Sequence, residues 1–146
     1  HYFIANVSDT NYIPKTDFRS PDEPELYDTS AGMIAAAGMM EIAKHVPEYE
    51  KSIYVNSAYK ILKATVEKYA DWSEDYDGII KNGMDRYNNG SVMHLIYGDY
   101  YFADAIYKLK EYLEKWIFMS KTVVNKTSLT QRYLAEQMLQ RLLRKL

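Results

Sequence analysis

Acids, tyrosines and a few histidines are the side chains here that could do chemistry. Asp28-Thr29-Ser30 precedes an alanine-rich stretch, where three short polar side chains offer caps to a helix start. Asp99 follows Gly98 at a second such opening, where the dipole of a helix favours an acid in its first turn. His94 lies just ahead of it and reads either as a hydrogen-bonding group in a pocket or as a loop residue. His1, His45 and His94 share no ligand spacing, so no metal site is expected. His45 falls near a helix C-terminus, where a cation is favourable. Asp75 and Asp77 sit on a turn and are expected to be solvated. Fifteen tyrosines and two tryptophans stand out. A tyrosine ring can pack on a sugar face while its hydroxyl bonds a sugar edge, although tyrosines more often fill cores. No catalytic residue and no cofactor is assigned.

The rest of the composition narrows the classes. The chain has 146 residues, 47% hydrophobic and 26% charged, with a net charge of -2, which suits a globular domain. Without a basic field, nucleic acid is not an expected partner. Cysteine is absent, which excludes disulfides and thiolate chemistry and fits a reducing compartment. The start HYFIANVSDTNY lacks the pattern of a signal peptide, and no apolar run approaches the roughly 20 residues that span a bilayer. A cytoplasmic location is therefore the expectation, and a membrane is an unlikely partner. The missing initial methionine leaves room for a native start elsewhere.

These residues must be positioned by helices. Three of the four prolines fall in TNYIPKTDFRSPDEPEL, which predicts an extended loop after a short helix around YFIAN. The next helix, TSAGMIAAAGMMEIAKHV, carries Ala31, Ile34, Ala35, Gly38, Met39 and Ile42 on one stripe. Met33, Ala36, Ala37 and Met40 make its other side apolar as well, so burial all round is expected. Beyond Pro47, a helix from about Glu50 to Asp71 is amphipathic, with Ile53, Tyr54, Ala58, Ile61, Leu62, Val66 and Tyr69 inward. Turn signals at Asp77-Gly78, Asn82-Gly83 and Asn89-Gly90 mark a long loop, in which DGIIKNG could hold a short strand. An aromatic helix begins near His94. Ser128 and Gln131 have the spacing of a capping box opening a last helix, with Ala135, Met138, Leu139, Leu142, Leu143 and Leu146 on one face. Residues 1–119 thus read as one all-α unit and 120–146 as a C-terminal amphipathic helical tail. Alternating buried and covering helices suits a toroid of hairpins, and too few hairpins are present to close one.

The runs YFIAN, IPKTDF, YDTSAGMIAAAGMMEIAK and IYGDYYFADAIYKL, in that order, resemble the C-terminal third of the unsaturated glucuronyl hydrolases, glycoside hydrolase family 88. Asp17-Phe18, Asp28-Thr29-Ser30-Ala31 and Gly98-Asp99-Tyr100-Tyr101 carry the match, over roughly residues 1–110. The resemblance implies helical hairpins forming part of an (α/α)6 barrel. It also implies a glycosidase that removes unsaturated uronic acid from polysaccharide-lyase oligosaccharides by hydrating a vinyl ether. The family's key aspartates lie upstream of the matched part, so this chain by itself is expected to be inactive. Thr16 stands where the family has an aromatic residue. The loop MDRYNNGSVMHLIY offers Asp85 or Tyr87 in place of a substrate-contacting tyrosine and lacks the family's serine and lysine pattern.

The resemblance makes Asp85, Tyr87, His94 and Ser30 the candidate substrate-binding residues, Ser30 because helix N-termini ring the mouth of such a barrel. The expected partner is an unsaturated uronate oligosaccharide, provided the full barrel is present. The alternative is a non-catalytic all-α module that self-assembles, as a homo-oligomer, or binds a partner through exposed inner helix faces.

Overall fold

The computed structural model describes residues 1–21, 23–87 and 91–119, and residues 130, 133, 134, 136–138, 140 and 141 of the tail. Four helices carry the described fold: α1 (Tyr2–Asp9), α2 (Thr29–His45), α3 (Glu48–Tyr69) and α4 (Ile96–Met119). Two two-residue strands, β1 (Gly83–Met84) and β2 (Val92–Met93), pair antiparallel in the long loop, Gly83 opposite Met93 and Met84 opposite Val92. Among the described residues the fold is thus all-α with one minimal β-ladder.

Local chemistry sets the ends of α2. Asp28 has extended backbone angles, and its carboxylate accepts the Ser30 amide at 3.0 Å, capping the first turn. At the other end Lys44 and His45 fall in the last turn, where the exposed carbonyls favour cations. Only Val46 and Pro47 separate α2 from α3, so the two helices form an antiparallel hairpin. Proline there cannot continue α2 but suits the entry to α3, whose first turn holds Glu48 and Glu50.

Helix α2 lies between α3 and α4, which scarcely touch each other. Its inward residues are Met33, Ala36, Ala37, Met40 and Ala43, all nearly inaccessible. The alanines let both neighbours approach, and Phe102, Ile106 and Leu109 of α4 and Ile61 and Leu62 of α3 fill the space. Gly98 serves a similar end: a Cβ there would lie 3.3 Å from the Cβ of Ser30, so the openings of α2 and α4 meet closely.

Three expectations are corrected. Helix α2 is not buried all round: Ile34 and Ile42 are 41% and 43% exposed, and Gly38 between them is exposed too. Two helices cover two flanks of α2, and among the described residues nothing covers the third. On α3, Ile53 faces solvent while Val55, Ser57 and Thr65 are buried. The inward face is therefore turned slightly from the stripe read in the sequence. The segment DGIIKNG forms no strand of its own. Ile79 and Ile80 are buried in irregular backbone, tied to the end of α3 by an isolated Ala70–Ile80 bridge, and β1 starts only at Gly83.

In the tail, Met138 is buried in the common core and Leu134 packs against it. The proposed capping pair Ser128–Gln131 lies outside the described residues, as do Ala135, Leu139, Leu142, Leu143 and Leu146.

Two substitutions test the packing. Phe102→Ala should lower the unfolding free energy by about 3–5 kcal/mol in a denaturant titration. Gly38→Ala should raise it by about 0.5–1 kcal/mol, because nothing lies within 4 Å of the added methyl. Loss of stability in the second variant would mean that the exposed face is packed in solution.

Candidate functional site

A loop without regular structure must find partners for its backbone polar groups. Residues 71–95 find them on two carboxylates at the openings of α2 and α4. Asp99 accepts the amides of Ile79 (3.0 Å) and Ile80 (2.8 Å). His94 Nε2 lies 2.6 Å from Asp99 Oδ2, and since an ionised carboxylate only accepts, Nε2 is the donor. Gly78 is required beside this pair, since a Cβ there would overlap the His94 ring.

Asp28 does the same at α2. Its Oδ1 accepts the Ser30 amide, the Ser30 hydroxyl (2.6 Å) and the Met84 amide (3.2 Å), joining β1 to the helix opening. Thr29 reinforces the join, its hydroxyl donating to the Lys81 carbonyl (2.6 Å) and its amide to the Asn82 carbonyl (3.1 Å). Asn82 turns the chain at φ 68°, a left-handed conformation that asparagine tolerates, and its side chain donates to the Tyr27 carbonyl. Lys81 pairs with Asp71, whose carboxyl is held below the usual range first by that hydrogen bond and then by Ser73.

Two hollows flank this tied loop. One, of about 670 Å³, is walled by Tyr2, Phe3, Phe18, Met84, Asp85 and Tyr87, with Asp17 and Asp28 on its edge. Lys15, Arg19 and Arg86 also line it, beside the acids Asp17, Asp28 and Asp85, with Arg86 3.5 Å from Asp85 and Lys15 3.8 Å from Glu25. Phe18 is held edge-on by Tyr2 and Phe3, at centroid distances of 5.9 and 5.3 Å. Thr16 sits deeper, donating to the Leu26 carbonyl at 3.2 Å. The second hollow, of about 1040 Å³, lies beside Trp72, Tyr76, His94 and Tyr100 and is also lined by Gln137 and Arg141 of the tail.

The sequence candidates are divided between these places. Asp85 and Tyr87 share the first hollow, whereas His94 lines the second. Ser30 lines neither; it is 2% exposed, and its hydroxyl donates to Asp28. His94 is thus both of the things its position allowed, a loop residue and a hydrogen-bonding group at a pocket wall. Sequence reasoning missed the cations of the first hollow, which are dispersed over two segments. It also missed the role of Asp99, whose backbone partners lie about twenty residues away. Among the described residues no group of three histidines or acids could hold a metal ion, and no helix is long and apolar enough to cross a membrane.

No protein-family model matches the chain. It is 30% identical over 115 residues to an unsaturated glucuronyl hydrolase of a Bacillus species (strain GL1), covering 75% of this chain and 30% of the relative. An unsaturated chondroitin disaccharide hydrolase of Streptococcus pneumoniae is 32% identical over 84 residues, covering 54% of this chain and 21% of that one. The solved structure of the Bacillus unsaturated glucuronyl hydrolase superposes with a TM-score of 0.64 at 28% identity, over 72% of this chain and 29% of that one. A second solved structure, of a UGL variant with dGlcA-Glc-Rha-Glc, gives 0.65 at the same identity and coverage. The homologues of this chain are unsaturated glucuronyl hydrolases. The chain spans about 30% of the length of its Bacillus relative. The fold of these glucuronyl hydrolases is an α/α barrel, to which the α2–α3 hairpin and α4 correspond in kind.

Asp99→Asn should speed hydrogen exchange at the Ile79 and Ile80 amides and cost about 1–3 kcal/mol, since it weakens charge-assisted bonds to buried donors. Unchanged exchange would show that other contacts hold the loop. Asp71 supplies a pH test. Its folded-state carboxyl is depressed, so its contribution is present above the ordinary carboxylate range and is lost as pH falls through the lowered range. In an NMR titration its carboxyl signal should still report the ionised form at about pH 3, below an ordinary aspartate's midpoint.

Proposed function

We infer that this chain forms part of a glycosidase that removes unsaturated uronic acid from oligosaccharides released by polysaccharide lyases. The observation that carries the reading is 30% identity over 115 residues to an unsaturated glucuronyl hydrolase, joined to a TM-score of 0.65 with a UGL structure containing dGlcA-Glc-Rha-Glc. The chemistry is hydration of a vinyl ether. A carboxylic acid protonates the sugar double bond, water adds at the adjacent carbon, and the resulting hemiketal opens to release the sugar.

Within this reading the chain supplies binding groups rather than the acid. Asp28 and Asp99 each accept three hydrogen bonds inside the protein and are committed to holding the loop. The family resemblance places the key aspartates outside the matched part, so on this reading another part of the barrel would supply the proton donor. In the first hollow the Tyr87 ring and hydroxyl would meet a sugar, and Asp85 would accept from its hydroxyls. Arg19 and Arg86 would face the uronate carboxylate. Ser30 shapes this rim from behind through Asp28, whereas His94 and Asp99 border the second hollow.

A second reading has a specific observation behind it. Ile34, Gly38 and Ile42 leave an exposed apolar stripe on α2, which a non-catalytic module could use to assemble with copies of itself. Sedimentation separates the two readings in part, since a compact monomer argues against assembly.

The test of the leading reading is kinetic. A protein carrying this chain in frame with upstream barrel hairpins should abolish the conjugated-uronate ultraviolet absorbance of a lyase-derived disaccharide. Tyr87→Ala in that protein should raise KM about tenfold with kcat changed far less. A kcat loss with constant KM would remove Tyr87 from the substrate-binding role.

A further inference from the structure

The two walls of the first hollow are built differently. In one, the stretches 14–16 and 26–28 run antiparallel, joined by the Lys15–Tyr27 bridge. The Thr16 amide donates to the Leu26 carbonyl and the Asp28 amide to the Pro14 carbonyl, both at 2.9 Å. Just beyond, the Asp17 carboxylate accepts the Arg19 amide at 2.8 Å, and Phe18 is held edge-on by Tyr2 and Phe3. The other wall, 84–87, leaves a two-residue strand whose partner β2 is exposed. Among the described residues, Met84 carries the last of its hydrogen bonds to the opening of α2. That bond is the longest of the three that Asp28 Oδ1 accepts, 3.2 Å against 3.0 and 2.6 Å.

Thr16 joins the two walls. Its hydroxyl lies 3.0 Å from the Met84 sulfur and 3.2 Å from the Leu26 carbonyl, and it has a single proton to give. The carbonyl already accepts the Thr16 amide, whereas the thioether sits in a side chain only 4% exposed, out of reach of water. The proton therefore serves the sulfur best. Methionine is otherwise an adaptable filler, free to turn about several bonds. With its amide on Asp28 and its sulfur on Thr16, Met84 is held by main chain and side chain together. Asp85 and Tyr87 follow directly, so a swing at Met84 is carried to both.

We propose, on the reading that sugar enters the first hollow, that Thr16 is a positioning residue for the wall opposite it. Its hydroxyl clasps the Met84 sulfur and so fixes how far Asp85 and Tyr87 stand from Phe18. Thr16 needs no contact with the ligand to do this. A binding group is only as well placed as the residues that support it, and here the support is one hydrogen bond at the base of the hollow. No bond of the substrate is made or broken through Thr16, so its loss falls on KM rather than on kcat.

The experiment compares Thr16→Val with Thr16→Ser. Valine keeps the branched shape and removes only the hydroxyl, and serine keeps the hydroxyl. In NMR spectra of the 146-residue chain, Thr16→Val should shift the Met84 methyl signal and speed exchange at the Met84 amide about tenfold. Thr16→Ser should match the parent in both. The methyl signals of Met33 and Met40, deep in the core, should stay in place in either variant. In the longer protein that contains this chain, Thr16→Val should raise KM for the lyase-derived disaccharide about fivefold, with kcat within about twofold. Thr16→Ser should restore that KM. Unchanged Met84 signals in Thr16→Val would overturn the clasp. Equal effects of the two variants, or a fall in kcat at constant KM, would overturn the positioning role. If the longer protein leaves the disaccharide untouched, the hydrolase reading falls, and the Met84 signals still decide the clasp.

Discussion

Everything on the functional face of this chain depends on two carboxylates that accept backbone amides. A loop of some twenty-five residues crosses the openings of α2 and α4 with, among its described residues, only a two-residue ladder of its own. Its buried amides at Ile79, Ile80 and Met84 would be costly without partners. Asp99 and Asp28 supply those partners from the first turn of one helix and the cap of another. The same two residues therefore satisfy helix ends, fix the loop, and set the walls of both hollows.

The core explains why the two openings lie side by side. Alanines at 36, 37 and 43 bring α3 and α4 close to α2, and Gly98 lets the start of α4 touch Ser30. With the helix ends so near each other, one loop can bond to both. Cations and acids line the hollow on one side of that loop, and Glu74, Asp77 and Asp99 with Arg141 line the other.

Much of this was legible in the residues. Asp28 as a cap, Pro47 as a stop and Asn82-Gly83 as a turn follow from local backbone chemistry, which neighbours seldom override. The inward face of α2 was not legible. Its sequence is apolar on every side, so periodicity cannot say which stripe meets α3 and α4 and which is left open. The irregular course of Ile79 and Ile80 was equally hidden, because their amides are satisfied by a side chain twenty residues away rather than by a neighbouring strand. Family resemblance offered Asp85 and Tyr87 as candidates, whereas Lys15 and Arg19 of the proline-rich loop come to the same hollow only in the folded chain. His94 could be placed in the loop from its position, but its partner Asp99 could not.

Ile34, Gly38 and Ile42 leave an exposed stripe on α2, and Asp28 and Asp99 are committed to holding the loop. On the function proposed above, this chain contributes binding groups to a barrel whose acid comes from another part. The most direct test is the ultraviolet assay of an unsaturated uronate disaccharide with the 146-residue chain alone, folded as judged by circular dichroism. The absorbance should stay constant over the period in which a longer protein containing the chain removes it. Its disappearance with the short chain alone would place the proton donor among these residues and contradict the division of labour described here.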